Sequence, residues 1–305
     1  MKNVLVIYYT QSGQLLDTAK HVMSDLEMDS EISITYYNIE PVKNFPFPWP
    51  AADFFDAFPE SFRQIPMQIK APSAEVLNKK FDLVILAYQV WYLSPSIPVN
   101  SFLKSEYAAQ ILNNVPVITL SGSRNMWIKA QEKIKVLLKH NKAQLVGNIA
   151  MVDRNINLVS VITIVDWLFT GIKRKVWGFL PLPGISNQEI VESKKFGKVI
   201  LNHLKQNDFT ALQQNLVALN AVEFRHFLVS MDCKANKMFY VWSGLILKFP
   251  KQRKILLKLF YYYLLIAIWF LSPIVLLLHT LTLPLQYWKI KNQKKYYQGI
   301  SLNNE

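Results

Sequence analysis

A repeated switch of hydrophobic period constrains this chain more than any other feature. Residues 3–9, Asn-Val-Leu-Val-Ile-Tyr-Tyr, form one unbroken apolar, β-prone run. A strand with one wet face would alternate, so this run predicts a strand buried on both faces of a parallel sheet. The polar turn Thr10-Gln11-Ser12-Gly13-Gln14 follows, and then Leu15, Leu16, Ala19, Val22, Met23 and Leu26 recur at helical spacing to about Glu27. The alternation continues, with strands predicted over 32–39, 82–88, 115–121 and 144–152 and helices over 98–112 and 126–140. Ser186 and Glu189 form a capping box that opens a further helix running to about Lys205. Residues 1–205 therefore read as an α/β domain, an open five-stranded parallel sheet with helices on both faces.

Two insertions interrupt that pattern. Residues 45–72 hold Phe45-Pro46-Phe47-Pro48-Trp49-Pro50, then Phe54, Phe55, Phe58 and Phe62. So many prolines fit no regular element. The segment is either an excursion packed outside the sheet or a wall beside a flat apolar ligand. Residues 156–183 carry an apolar run from Leu158 to Phe169, then Lys173-Arg174-Lys175 and Trp177. That run is too short and too polar to span a bilayer, which leaves a buried, an interfacial or a membrane-surface helix open.

The charge is unevenly distributed. Of the net +13, residues 1–205 contribute +5 (22 basic, 17 acidic) and residues 206–305 contribute +8 (12 basic, 4 acidic). From Cys233 to Asn304 there are 11 Lys and Arg and no Asp or Glu. These cations bracket an apolar stretch and do not line a polar surface, so nucleic acid is not the expected partner. No charge appears in the 20 residues from Leu259 to Leu278, about the length needed to cross a hydrocarbon core of ~30 Å. Tyr261, Tyr262, Tyr263, Trp269, Tyr287 and Trp288 are placed as interfacial aromatics. Lys248, Lys251, Arg253, Lys254 and Lys258 precede the stretch, and Lys289, Lys291, Lys294 and Lys295 follow it. Positive charge on both flanks conflicts with one simple crossing. A helix broken at Pro273 would dip into one leaflet and return, with a spanning helix and a soluble apolar helix pair buried in an oligomer left open. Residues 206–305 are thus expected to form a helical C-terminal region, attached to membrane lipid by an apolar segment over 255–288. Met1-Lys2-Asn3 does not open a secretory signal, and the single Cys233 allows no intrachain disulfide, so the α/β domain is expected in the cytoplasm.

In an open parallel sheet, ligands bind beyond the carboxyl ends of the strands. Three loops lie there. Thr10-Gln11-Ser12-Gly13-Gln14 offers two hydroxyls, a glycine and free N–H groups at a helix start, which suits a phosphate, although a plain capping turn uses similar residues. It is neither GxGxxG nor a Walker A loop, which argues against NAD and ATP. After the third strand, Gln89-Val90-Trp91-Tyr92 could stack on a planar ring and present N–H groups to its edge, or could simply be core. After the fourth, Ser121-Gly122-Ser123-Arg124-Asn125 is small and polar, then supplies a cation and an amide. No metal site is expected.

Together the three loops resemble those of the flavodoxin-like family. There a Thr/Ser-x-Thr/Ser-Gly loop holds the phosphate of FMN and the other two loops cover its ring. Thr10, Ser12 and Gly13 match the first motif, whereas Leu15 replaces a frequent third hydroxyl and Gln89-Val90 departs from the usual second loop. The resemblance implies the strand order 2-1-3-4-5. The run Phe45 to Pro50, the segment Phe54 to Ser61, Leu86 to Ser96, Ser123-Arg124-Asn125-Met126-Trp127 and Val152-Asp153-Arg154-Asn155 are similar, more narrowly, to the bacterial dialkylresorcinol-condensing family. That resemblance implies FMN-dependent aromatisation of a 2,5-dialkylcyclohexane-1,3-dione to a 2,5-dialkylresorcinol for flexirubin-type pigments. A partner ketosynthase would supply the dione. The place of action would be the cytoplasmic face of the bacterial inner membrane, with a homodimer left open. Arg124 is the expected enolate stabiliser, and Asp153 and Tyr88 are further polar candidates for catalysis, although an ion pair of Asp153 with Arg124 or Arg154 could be purely structural. An FMN-dependent NAD(P)H:quinone reductase and a non-catalytic scaffold of a pigment-synthesis complex stay open as alternatives.

Overall fold

The computed structural model describes residues 1–302. Its strands are β1 (Lys2–Tyr8), β2 (Ile32–Asn38), β3 (Leu83–Trp91), β4 (Ser94–Pro95), β5 (Pro116–Ser123) and β6 (Gln144–Val152). The sheet runs β2-β1-β3-β5-β6, all parallel, and the two-residue β4 folds back antiparallel on the end of β3. Counting only the parallel strands, this is the expected order 2-1-3-4-5, the doubly wound flavodoxin-like topology.

The unbroken apolar runs explain the two-faced burial. Alternate side chains point to opposite faces of a strand. Val4, Val6, Ile85, Ala87, Ile118 and Leu120 meet one core, under the helices Gln14–Glu27 and Lys194–Gln206. Leu5, Ile7, Val84, Leu86, Tyr88 and Val117 meet the other, under Ile97–Leu103, Glu106–Leu112 and Ile128–His140. Gly197 lets the first two helices touch, since a Cβ there would stand 2.2 Å from the Val22 carbonyl.

Several elements differ in detail from the sequence reading. The predicted helix over 98–112 is two, because Ser105 breaks the run and caps the second by accepting from the Ala108 amide. The helix opened by Ser186 likewise divides at Ser193 into Asn187–Glu192 and Lys194–Gln206. β3 runs on to Trp91 and β5 to Ser123, so Gln89 and Val90 are strand and not loop. The proline-rich insertion does contain regular structure, the helices Ala51–Asp56 and Phe58–Phe62. Pro50 is the N-cap of the first and Pro59 stands in the opening turn of the second, where no amide proton is needed. The second insertion forms the helix Asn157–Thr170, in which only Ser160 and Thr163 are buried.

The chain beyond residue 205 first adds to the sheet's own core. Helix Leu212–Ala218 packs on β6, and Leu212, Leu216, Ala221, Val222 and Val229 join the first cluster. Helix His226–Lys248 then crosses to a third cluster, in which Phe239 and Ile246 meet Phe58, Phe62, Leu257 and Phe260. The run Pro250–Gln298 is long and apolar enough to cross a membrane, and only 6% of its most apolar window is buried. Pro273 does not break it. A π-helical turn, Ala267–Leu271, precedes helix Ser272–Thr282 and takes up the proline within its first turn. The bend lies at Leu283–Gln286, around Pro284. His226 meets both His279 (3.4 Å) and Gln293, which a straight helix would hold about 21 Å apart. The last helix, Tyr287–Gln298, therefore turns back to the α/β domain, and its Tyr297 ring stacks on Phe224.

Candidate active site

The carboxyl ends of β1, β3 and β5 and the two insertions enclose a cavity of about 260 Å³. Its first wall is the turn after β1. Gly13 adopts φ 84°, a left-handed conformation, with open space where a Cβ would point. No side chain caps helix Gln14–Glu27, so its first amides are left for another acceptor. Among the described residues the buried Thr10 hydroxyl has no partner, but neither Thr10 nor Gly13, both expected at the site, is on the cavity lining. Ser12 and Leu15 line the cavity, and a Cβ on Gly122 would come within 3.2 Å of Leu15, which closes the floor.

Gln11 and Gln14 line the same turn, and their amides hold the insertions in place. The Gln11 side chain donates to the Pro46 carbonyl (3.0 Å) and accepts from the Trp49 indole (3.1 Å). Gln14 donates to the Ile185 carbonyl and accepts from its amide, both at 3.0 Å. Gly184, at φ 81°, passes so close that a Cβ would stand 2.6 Å from the Gln14 oxygen and 2.9 Å from the Trp167 ring. Gln11 thus ties the first insertion, and Gln14 the segment just after the second, to the loop after β1.

The second wall is aromatic. Trp91 at the end of β3 has the rings of Phe45, Trp49 and Tyr9 at 5.0, 5.4 and 6.0 Å. Tyr92 and Leu93 then take φ 49° and 60°, as in the primed two-residue hairpin turns, without the usual Gly or Asn. The turn brings Ser94 back against Trp91. It is held by the Tyr92 hydroxyl, which donates to the Phe54 carbonyl (2.7 Å), and by the Lys133 ammonium, which donates to the Ser94 hydroxyl (2.6 Å) and the Phe62 carbonyl (3.0 Å). Gln89 and Val90 line the cavity beside Trp91, and the Gln89 oxygen is buried without a partner.

The third wall follows β5. Gly122, Ser123 and Arg124 line the cavity, and the Ser123 hydroxyl is buried without a partner. Arg124 Nη1 donates to the Asn157 backbone carbonyl (3.1 Å) and side-chain oxygen (2.7 Å). Burial pushes the Arg124 guanidinium down to about 10 and the nearby Asp153 charge raises it, so it stays cationic at neutral pH. Asn125 does not line the cavity and donates to the same Asn157 oxygen (2.7 Å).

Three expected site residues lie behind the wall. Tyr88 is fully buried in the second core, donates to Gln131 (2.7 Å), and has its phenol pushed far up by burial. Ser121 is buried opposite it in the sheet register. Asp153 is fully buried and accepts from the Ser160 hydroxyl (2.7 Å), the Asn155 amide (2.9 Å) and the Gly184 amide (3.4 Å). It pairs with neither arginine, and Arg154 instead pairs with Glu189 and Glu223. The residues the loop motifs did not indicate come from the insertions: Phe47, Trp49, Phe54 and Ala57 from the first, and Ile164, Trp167 and Leu168 from the second, with Gly184 and Ile185 just after it. Of these, only the proline- and aromatic-rich run carried a signal, as one of its two readings. Among the described residues, the polar side chains on the lining are Gln11, Ser12, Gln14, Gln89, Tyr92, Ser123 and Arg124, with no carboxylate and no imidazole among them.

No family model matches the chain, and no curated protein matches its sequence. Solved structures are similar to part of the chain. A flavoprotein from Lactobacillus acidophilus in complex with FMN is 16% identical over 49% of this chain and 93% of its own, with a TM-score of 0.39. A protein of Bacteroides uniformis assigned as a flavoprotein is 15% identical over 57% and 99%, with a TM-score of 0.38. The Trp repressor binding protein of Bacillus subtilis is 11% identical over 56% and 100%, with a TM-score of 0.29. The fold assignment rests on strand order and register, independently of these likenesses.

Proposed function

We propose that the cavity binds FMN and that the protein oxidises a lipophilic 2,5-dialkylcyclohexane-1,3-dione to the 2,5-dialkylresorcinol at a membrane. The observation that carries this is the junction, in one cavity at the strand ends, of an uncapped helix N-terminus with an aromatic wall. The residues fit the group. The free amides around Gly13, with the Ser12 hydroxyl on the lining, suit a phosphate. The unpartnered oxygens of Gln89 and Ser123 suit the polar edge of a flavin ring, and Trp91 and Tyr92 suit its face.

Bound FMN supplies a two-electron acceptor. Aromatisation removes two electrons and two protons from the ring, one hydrogen leaving as hydride and one as a proton. A cyclic 1,3-dione is itself acidic and loses that proton readily as an enolate, so a lining without a carboxylate or an imidazole is adequate. Arg124, a cation on the cavity wall, would bind the enolate oxygen and hold the ring in register. Phe47, Trp49, Phe54, Ile164 and Leu168 would exclude water and receive the alkyl chains. A condensing ketosynthase is the class of enzyme that makes such a dione. The apolar run within Pro250–Gln298 would attach the protein to the cytoplasmic face of the inner membrane, where dialkyl substrates partition.

The full chain in detergent tests this reading. FMN should bind and lose fluorescence, and Gly13→Val, strained at its positive φ, should weaken that binding by at least about tenfold. Anaerobic addition of a dialkylcyclohexanedione should bleach the bound flavin and release one resorcinol per flavin. Absence of FMN binding overturns the proposal. So does turnover of NADPH and a quinone with no reaction of the dione, which would identify a reductase.

A further inference from the structure

We infer that the C-terminal apolar run does not cross the bilayer but lies along it, as an in-plane platform that docks one side of the protein on an anionic membrane. This deepens the membrane attachment proposed above and is independent of the flavin reading. Both ends of the run are fastened to the same α/β domain. At the first end Arg253 pairs with Asp56 and Glu60, and Phe260 stacks on Phe58 at 3.9 Å. At the other end, beyond the bend at Pro284, Gln298 donates to the Val222 carbonyl (3.1 Å), Gln213 donates to the Gln298 carbonyl (2.6 Å), and Lys135 donates to the Ser301 carbonyl (2.9 Å). A single crossing would put these two ends on opposite sides of a hydrocarbon core of ~30 Å. One folded domain cannot hold both.

The outward face of the run fits a lipid surface. Leu259, Ile266, Phe270, Ile274, Leu277 and Leu281 recur every three to seven residues along one side, each half exposed or more. Leu257, Phe260 and Ser272 turn into the protein, while Leu271, Leu276 and Leu278 on the other sides of the run are also exposed. At the bend, Leu285 is 88% exposed and Trp288 72%. Cations stand exposed at both ends, Lys251, Lys254 and Lys258 at one and Lys289, Lys291 and Lys295 at the other. No acidic residue occurs between Cys233 and Asn304 to oppose them. An apolar stripe with basic residues at its ends matches acyl chains bordered by anionic headgroups. The platform also abuts the cavity. Phe54 lines the cavity, and its neighbour Phe55 packs on Tyr261 at 5.2 Å.

Two measurements on the full chain test the inference. Detergent-free protein should float with vesicles of phosphatidylcholine and phosphatidylglycerol and, more weakly, with phosphatidylcholine alone. Leu277→Asp with Leu281→Asp should cut flotation by about tenfold or more while the thermal unfolding midpoint in detergent is retained, which shows that the fold survives. Cysteines introduced at Lys251 and Asn292, in a Cys233→Ser background, should both react from the cytoplasmic side of sealed membranes. Reaction from opposite sides overturns the inference. Equal flotation on both kinds of vesicle removes the anionic preference. A detergent-free dimer that buries the stripe and does not float shows that a second copy, and not lipid, covers it.

Discussion

Arg124 reaches the cavity with one guanidinium nitrogen already committed to Asn157, so its direction is set before any ligand arrives. Arg124→Ala should lower kcat/KM for the dione about 100-fold or more, as loss of a preorganised charge does. Arg124→Lys should recover only part of it, because an ammonium lacks the planar fork. Steady-state kinetics check both. Lys133 bears on stability instead. Burial pushes its ammonium down to about 7, against ~10.4 in an unfolded chain. Between those values the unfolded state binds a proton that the folded state has lost, so stability should rise with pH across that window and be lowest below about 7. Urea unfolding midpoints should show this slope, and Lys133→Met should flatten it. Gln11 and Gln14 show how far a residue can depart from its motif role. Both lie in the expected loop, yet their amides are spent on Trp49, Pro46 and Ile185, partners 35 to 171 positions away.

Among the elements, helix Asn157–Thr170 supplies Ile164, Trp167 and Leu168 to the cavity wall. Its start is bound by Arg124 and Asn125, and its first turn by Asp153 through Ser160. Ser160→Ala would leave one buried Asp153 oxygen with only the 3.4 Å contact to Gly184, a cost of about 1–3 kcal/mol. Thermal unfolding should show that loss. Asp153→Asn should likewise lower Tm and leave the pH profile of dione oxidation unchanged, whereas a catalytic base would move the profile and spare Tm. The turn at Tyr92 and Leu93 was hidden in the sequence for a related reason. Neither residue favours positive φ, and the strain is sustained by Phe54, Ser94, Phe62 and Lys133 from other parts of the chain.

Across the whole molecule, the C-terminal apolar run and the cavity are mechanically one. Phe260 stacks on Phe58, and Phe58 adjoins Ala57 and Tyr92 of the cavity wall. Phe260→Ala should therefore cost about 3–5 kcal/mol and lower the denaturant midpoint of the α/β domain itself; an unchanged midpoint would show that the two parts are independent. Hydrophobic period and turn chemistry are local properties. From them the sequence alone determined the alternation of buried strands with helices, the parallel sheet, the glycine turn after β1 and the apolar, basic-flanked tail. The tertiary structure decided which aromatic rings wall the cavity, that Tyr88 and Asp153 stand behind it, and that the tail bends at Pro284 and not at Pro273. Each of those outcomes rests on pairs far apart in the chain, such as Gln14 with Ile185, Arg124 with Asn157 and His226 with His279. Such contacts exist only once the chain has folded, and no local pattern of residue types encodes them.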